Sequence, residues 1–191
     1  MSTPFDSYLG HLPLEYREAL SKEIKRTSKV VHLPVVTPHD ATPQPGLGPS
    51  TTSIGNIIGL IYTSPANDRA YTIFRLDEDF IGTPSFHIHW TKGTDANEQG
   101  DTVRWKLDYT VFNPEGGSLL NGSSGTILFD EVYTDSGTTT RAAYSTEYGY
   151  VNGDFLPGNY VGIAISVVAA GTTVASPVLI TADLVYDVLI E

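Results

Sequence analysis

Two stretches near the middle of the chain alternate apolar and polar residues without a break. Ser85–Trp90 puts Phe86, Ile88 and Trp90 on one side and His87 and His89 on the other. Val103–Val111 puts Val103, Trp105, Leu107, Tyr109 and Val111 on one side and Arg104, Lys106 and Asp108 on the other. Successive side chains of a strand point to opposite faces, so a period of two over this length restricts both stretches to half-buried β-strands. Both tryptophans fall on the apolar side. The polar run Thr91–Asp101 reads as their connection, and the two strands as an antiparallel pair with one aromatic core face and one polar face.

The same pattern recurs downstream of residue 50. Strands are expected at Ile54–Thr63, Ala70–Leu76, Ser85–Lys92, Thr102–Phe112, Gly125–Tyr133, Arg141–Val151, Asn159–Ala169 and Pro177–Ile190, separated by Gly-, Pro- and Asn-rich turns. Val161, Ile163, Ile165 and Val167 share a face, as do Ile180, Ala182, Leu184, Tyr186 and Val188. About eight short strands in roughly 140 residues define an all-β fold, an antiparallel two-sheet β-sandwich of the jelly-roll kind. Charged residues are only 17% of the chain, which suits a turn-rich β fold. No internal repeat is visible.

The first 50 residues read differently, as an N-terminal arm before a sandwich domain of residues 51–191. Phe5, Tyr8, Leu9 and Leu12 are many large apolar groups for a free tail. Pro13 then opens a helix expected over about residues 14–28, with Glu15 and Glu18 early, Lys22, Lys25 and Arg26 late, and a narrow stripe of Tyr16, Leu20 and Ile24. Such a stripe cannot form a core alone, so the helix must dock on another surface. Val30–Val36 reads as an extended piece, and the Pro/Gly-rich run 37–50 as a semi-rigid linker.

The net charge is −11, and the arm is balanced, so the excess acid lies in the sandwich. An acidic sandwich argues against nucleic-acid binding, since phosphate contacts need a basic surface. No stretch is long and apolar enough for a membrane helix, and the N-terminus lacks the pattern of a secretory signal. Cysteine is absent, which removes disulfides, thiolate metal sites and cysteine nucleophiles.

Few residues suggest chemistry. His87 and His89 lie on one side of a strand, about 6.6–7 Å apart, and could supply two ligands to a metal. The plainer reading is a polar outer face or, together with Arg104 and Lys106, a contact with another chain. Asp77, Glu78 and Asp79 could hold a hard cation but lack an EF-hand spacing, so an exposed acidic turn is the simpler account. Asp183 and Asp187 are too far apart along one strand for a glycosidase pair. Tyr144, Tyr148 and Tyr150 recur with period two and read as packing, or as a platform for stacking sugars. No nucleophile elbow, P-loop or dinucleotide fingerprint occurs. A cupin-like enzyme would need a Glu beside its histidines, and none is near. The expectation is therefore no catalytic residues, no cofactor and no enzyme.

The order of Phe74–Phe80 (FRLDEDF), Phe86–Trp90 (FHIHW), Val103–Tyr109 (VRWKLDY) and the closing Ile180–Tyr186 (ITADLVY) resembles β-sandwich virion proteins of tailed bacteriophages. The resemblance covers most of residues 70–190 and rests on packing motifs. It implies a capsid decoration or cement protein on the virion surface, made in the host cytoplasm, acting as a homotrimer on the major capsid protein. Phe5, Tyr8, Leu9, Leu12, Tyr16, Leu20 and Ile24 would be its capsid-docking arm, and His87, His89, Arg104 and Lys106 its interchain contact. The alternative is a carbohydrate-binding, host-receptor module of a phage fibre or tail, touching a host glycan through the loops Thr91–Asp101 and Asn113–Ser124.

Overall fold

The computed structural model of the protein describes residues 25–33, 48–64, 68–113, 123–136, 144–149 and 155–190. These form ten strands: β1 (Lys25–Leu33), β2 (Ser50–Ile54), β3 (Ile57–Ile61), β4 (Arg69–Arg75), β5 (Phe80–Lys92), β6 (Thr102–Phe112), β7 (Ser123–Val132), β8 (Tyr144–Gly149), β9 (Tyr160–Val167) and β10 (Pro177–Ile190). Every strand pairing is antiparallel. One sheet has six strands, with β2-β3-β10-β5-β8 in order and β1 also on β10; the other has four, in the order β4-β9-β6-β7.

The connectivity explains the architecture. The last eight strands pair as one nested hairpin, β6 with β7, β5 with β8, β4 with β9 and β3 with β10. The hairpin then rolls up on itself through β5 with β10 and β6 with β9. That wrapping is the eight-stranded jelly roll, with β1 and β2 added at its rim.

The faces read from the sequence are the faces that pack. Phe86, Ile88 and Trp90 of β5 and Ala182, Leu184, Tyr186 and Val188 of β10 are buried against Val103 to Val111 of β6 and Val161 to Val167 of β9. Trp90 and Trp105 meet edge-on, with ring centroids 6.2 Å apart at 64°. Tyr62 stands edge-on to Trp105 at 5.5 Å and donates its hydroxyl to the Ile165 carbonyl.

Four sequence expectations change. First, β5 and β6 are not neighbours in a sheet: they belong to different sheets, and Trp90 touches Trp105 across the core. Alternation says which side of a strand is buried, but two facing sheets satisfy it as well as a hairpin does. The connection Thr91–Asp101 bridges the sheets and is stapled down. The buried Lys92 donates to the Ala96 carbonyl at 2.6 Å, and the buried Glu98 accepts from Thr94 and from the Ala175 amide.

Second, residues 25–28 are strand, not the end of a helix. Lys25 to Leu33 pair in unbroken register with Ile190 to Ala182, and the donors and acceptors of a long neighbouring strand outweigh a local charge pattern. Residues 14–24 lie outside the described residues. β1, assigned by sequence to the arm, is thus part of the six-stranded sheet.

Third, the run Ile54–Thr63 is not one strand. Gly55 and Asn56 turn it into the β2–β3 hairpin, and Gly55 has φ +60, which favoured two-residue hairpin turns need at their first position.

Fourth, the register of β10 slips between Leu179 and Thr181. Leu179 therefore fills the core while Ile180, the residue in phase with Ala182, is half-buried.

Replacing Trp105 by Ala is expected to cost about 3–5 kcal/mol in urea denaturation, since its partners come from both sheets and cannot close the cavity together. A second expectation concerns Tyr186. Burial raises its hydroxyl pKa, helped by the hydrogen bond it donates to Asp77 and by that carboxylate's charge, to about 12. Its contribution is complete below the ordinary tyrosine pKa near 10 and is lost as pH rises through the folded value. Stability of the wild type should therefore fall more steeply between pH 10 and pH 12 than that of Tyr186→Phe, measured by urea denaturation at each pH.

Candidate functional site

The outward face of the four-stranded sheet is set by register. One row across it reads Tyr71 of β4, Ala164 of β9, Asp108 of β6 and Thr126 of β7. The next row reads Ile73, Gly162, Thr110 and Ser124. β9 spends its bulky residues inward, on Val161, Ile163, Ile165 and Val167, and keeps its smallest outward. Flanking strands carry taller side chains, so the sheet has a trough of about 430 Å³ with Gly162 and Ala164 on its floor. A methyl group added at Gly162 would meet no atom within 4 Å.

Tyr71, 40% exposed, stands at the β4 end, with Ile73 exposed beside it. Phe112 and Tyr160 stack one row beyond Gly162, with ring centroids 5.4 Å apart at 10°. At the β7 end, Gly125 makes room for Tyr109: a Cβ there would fall 2.0 Å from the Tyr109 hydroxyl oxygen.

Asp108 is the acid in the trough. Lys106 approaches it at 2.7 Å and Thr126 donates its hydroxyl at 2.6 Å. Partial burial works to raise its pKa, but the hydrogen bonds from Lys106 and Thr126, with the charges of Lys106 and Arg69, outweigh it and hold the carboxyl below its ordinary value. An ionised, half-buried carboxylate among hydroxyls is a strong acceptor for ligand O–H groups.

Of the residues singled out from sequence, Lys106 borders the trough through Asp108. His87 and His89 lie on the outward face of β5, in the six-stranded sheet, whereas Arg104 and Lys106 lie on the outward face of β6, in the other. The four do not form one patch, because the strands that carry them face each other across the core. Arg104 forks onto Asp130 through two contacts of 2.6 Å.

His89 Nε2 sits 3.0 Å from one oxygen of the buried Asp183, and His32 Nδ1 sits 2.7 Å from the other, so this carboxylate ties β1, β10 and β5 together. Among the described residues, no group of three or more His, Asp or Glu is placed to hold a metal. Asp77 pairs with Lys29, and Glu78 with Arg75, so the acidic turn braces strand ends. Asp187 accepts from Ser28. Phe5, Tyr8, Leu9, Leu12, Tyr16, Leu20, Ile24 and Tyr150 lie outside the described residues.

The trough itself went unread in the sequence. Its signal is present in Val161–Val167 (VGIAISV), where bulky and small residues alternate strictly. The inward half of that pattern announces a core strand, and the outward half announces a groove.

No family profile and no curated relative matches the sequence. Among solved structures, the chain is similar to CBM35 from Cellvibrio japonicus Abf62, at 13% identity and a TM-score of 0.37, covering 82% of this chain and 92% of that one. It is also similar to a family 35 carbohydrate binding module from Clostridium thermocellum, at 14% identity and a TM-score of 0.32, covering 84% and 97%. A third is the enzymatically active domain of Bacteriophage CBA120 tailspike protein 4, at 15% identity and a TM-score of 0.32, covering 86% of this chain and 19% of that one. Likenesses this remote assign no role, and the functional reading rests on the trough.

Replacing Gly125 by Ala is expected to destabilise the protein by about 1–3 kcal/mol, because the Tyr109 ring must leave its place beside Phe155. Urea denaturation of the variant measures this directly.

Proposed function

We propose that the chain is a glycan-binding β-sandwich module and that the trough on the four-stranded sheet is where sugar lies. The observation that carries this is the trough's make-up. A floor of Gly162 and Ala164 is joined by an aromatic wall at Tyr71 and by an acceptor and hydroxyl set at Asp108, Thr110, Thr126 and Ser124. A pyranose has apolar C–H faces and a rim of hydroxyls. Its faces suit a tyrosine ring, and its rim suits a carboxylate bordered by Thr and Ser. The floor is backbone held in a ladder on both sides, so the shape exists before the ligand arrives and little ordering entropy is lost on binding.

Holding rather than cleaving fits this chemistry. Among the described residues, one carboxylate lines the trough, and hydrolysis of a glycosidic bond ordinarily uses two. With the resemblance to phage virion proteins, the natural ligand would be a glycan of the host surface, and the module part of a fibre or tail. Of the two loops expected to touch the glycan, Thr91–Asp101 is tied to the body of the sandwich by Glu98 and Lys92, whereas residues 114–122 of the other lie outside the described residues and Ser124 at its end lines the trough. The capsid-decoration reading depends on arm residues outside the described ones, and no described residue favours it.

The test uses Gly162→Trp, whose Cβ meets no atom within 4 Å and lies on the outward face away from the core. Wild-type protein is expected to be retarded in native gels containing a polysaccharide that it recognises on a glycan array. Gly162→Trp should lose that retardation with an unchanged thermal midpoint. Tyr71→Ala should weaken binding about tenfold, the ~1.4 kcal/mol of a well-packed aromatic contact. A wild type that binds no glycan, or a Gly162→Trp variant that binds as well as wild type, refutes the proposal.

A further inference from the structure

The trough crosses the strands instead of running along them, and this bears on which part of a glycan it can take. Its lining comes from all four strands, Tyr71 on β4, Gly162 and Ala164 on β9, Asp108 and Thr110 on β6, and Ser124 and Thr126 on β7. In the sheet order β4-β9-β6-β7, the first and last of these are the two edges. At about 4.8 Å between neighbouring strands, the trough is roughly 14 Å long. Among the described residues, its lining therefore reaches from one margin of the sheet to the other. Tyr71 at one margin is 40% exposed, and Ser124 and Thr126 at the other are exposed as well.

Such a trough differs from the socket that recognises the end of a sugar chain. A socket closes around a terminal ring and reads hydroxyls that exist only there. Here the polar groups fill both rows of the β6–β7 half, Asp108 and Thr126 beside Ala164 and Thr110 and Ser124 beside Gly162, with Asp108 held by Lys106 and Thr126 near the middle of the sheet. A chain longer than the sheet is wide can enter over Tyr71 and leave over Ser124 with no terminus inside.

We infer that the trough takes an internal segment of a polysaccharide, laid across the strands, and not a chain end or a free monosaccharide. This rests on the reading of the trough as a glycan site. The affinity of the site should rise with ligand length until the segment spans the sheet and then level off.

The test uses the full chain and a native-gel panel of dextran, yeast mannan, galactan, arabinoxylan and polygalacturonate. For the polymer that retards the protein most, calorimetry compares its monosaccharide, its oligosaccharides of increasing length, and the polymer with its reducing ends converted to alditols. The expected result is no measurable monosaccharide binding, and an affinity that climbs at least tenfold along the oligosaccharides to a plateau. Reduction of the chain ends should change nothing. Ser124→Trp, which fills the β7 margin of the trough, should weaken the polymer at least tenfold. Monosaccharide binding as tight as the polymer's, or loss of binding on end reduction, overturns the inference while leaving a glycan site in place. Retardation by no polysaccharide, with no response on the glycan array, removes the glycan reading and this inference with it.

Discussion

The sandwich is pinned by an aromatic contact between its two sheets. Trp90 reaches in from β5 and Trp105 from β6, and their rings meet edge to face with Tyr62 and Tyr133 alongside. Edge-to-face geometry sets the positive rim of one ring on the negative face of the other, so the contact fixes orientation as well as distance. Strands on either side then have their inward residues chosen for them. β10 must present Leu184 and Ala182 to the same layer, and β9 must present Ile163 and Ile165. Since side chains alternate, fixing the inward set also fixes the outward one. The trough is the reverse side of the core: Gly162 and Ala164 face solvent because Val161, Ile163 and Ile165 cannot.

The two outward faces have different characters. On the six-stranded sheet, polar side chains are used on one another. Asp183 grips His32 and His89, Ser28 holds Asp187, and each contact joins β1 to the body of the fold or β10 to β5. On the four-stranded sheet, part of the polar set is likewise internal, Arg104 with Asp130 and Lys106 with Asp108. Around the glycine floor stand hydroxyls, the Tyr71 ring and the Asp108 carboxylate, whose oxygens have more lone pairs than Lys106 and Thr126 use. Both faces therefore carry polar groups, but one is cross-braced and the other has an open channel.

Much of this was legible in the chain. The inward faces of β5, β6, β9 and most of β10 follow from alternation alone, and the limits of β6 and β10 coincide with the runs read from sequence. What alternation lacks is partner identity. It could not tell that Trp90 and Trp105 oppose each other across a core, and so it grouped His87 and His89 with Arg104 and Lys106. It could not see that Lys25–Ser28, charged like the end of a helix, would be captured by the free edge of β10. A β-bulge at Leu179 defeats any strict period, and the turn at Gly55 and Asn56 is hidden by apolar residues on both sides. The trough was missed because small outward residues carry no chemical signature of their own. Their meaning appears only once the taller neighbours on β4, β6 and β7 are known.

The pairing of β1 with β10 has a mechanical side. Lys25 lies opposite Ile190, so the first and last described strands bring their outer ends to the same corner of the sandwich. A pull applied between those two ends would open the ladder from that corner one rung at a time, the weak direction for a sheet. A pull entering at Lys25 and leaving from the outward face of the four-stranded sheet follows a different path. It passes along β1 into β10 and then through the aromatic layer into the other sheet, loading the β1–β10 ladder along its length, with many hydrogen bonds sharing the strain. The same sandwich can thus come apart easily between those two strand ends and resist when tension runs from β1 into the four-stranded sheet.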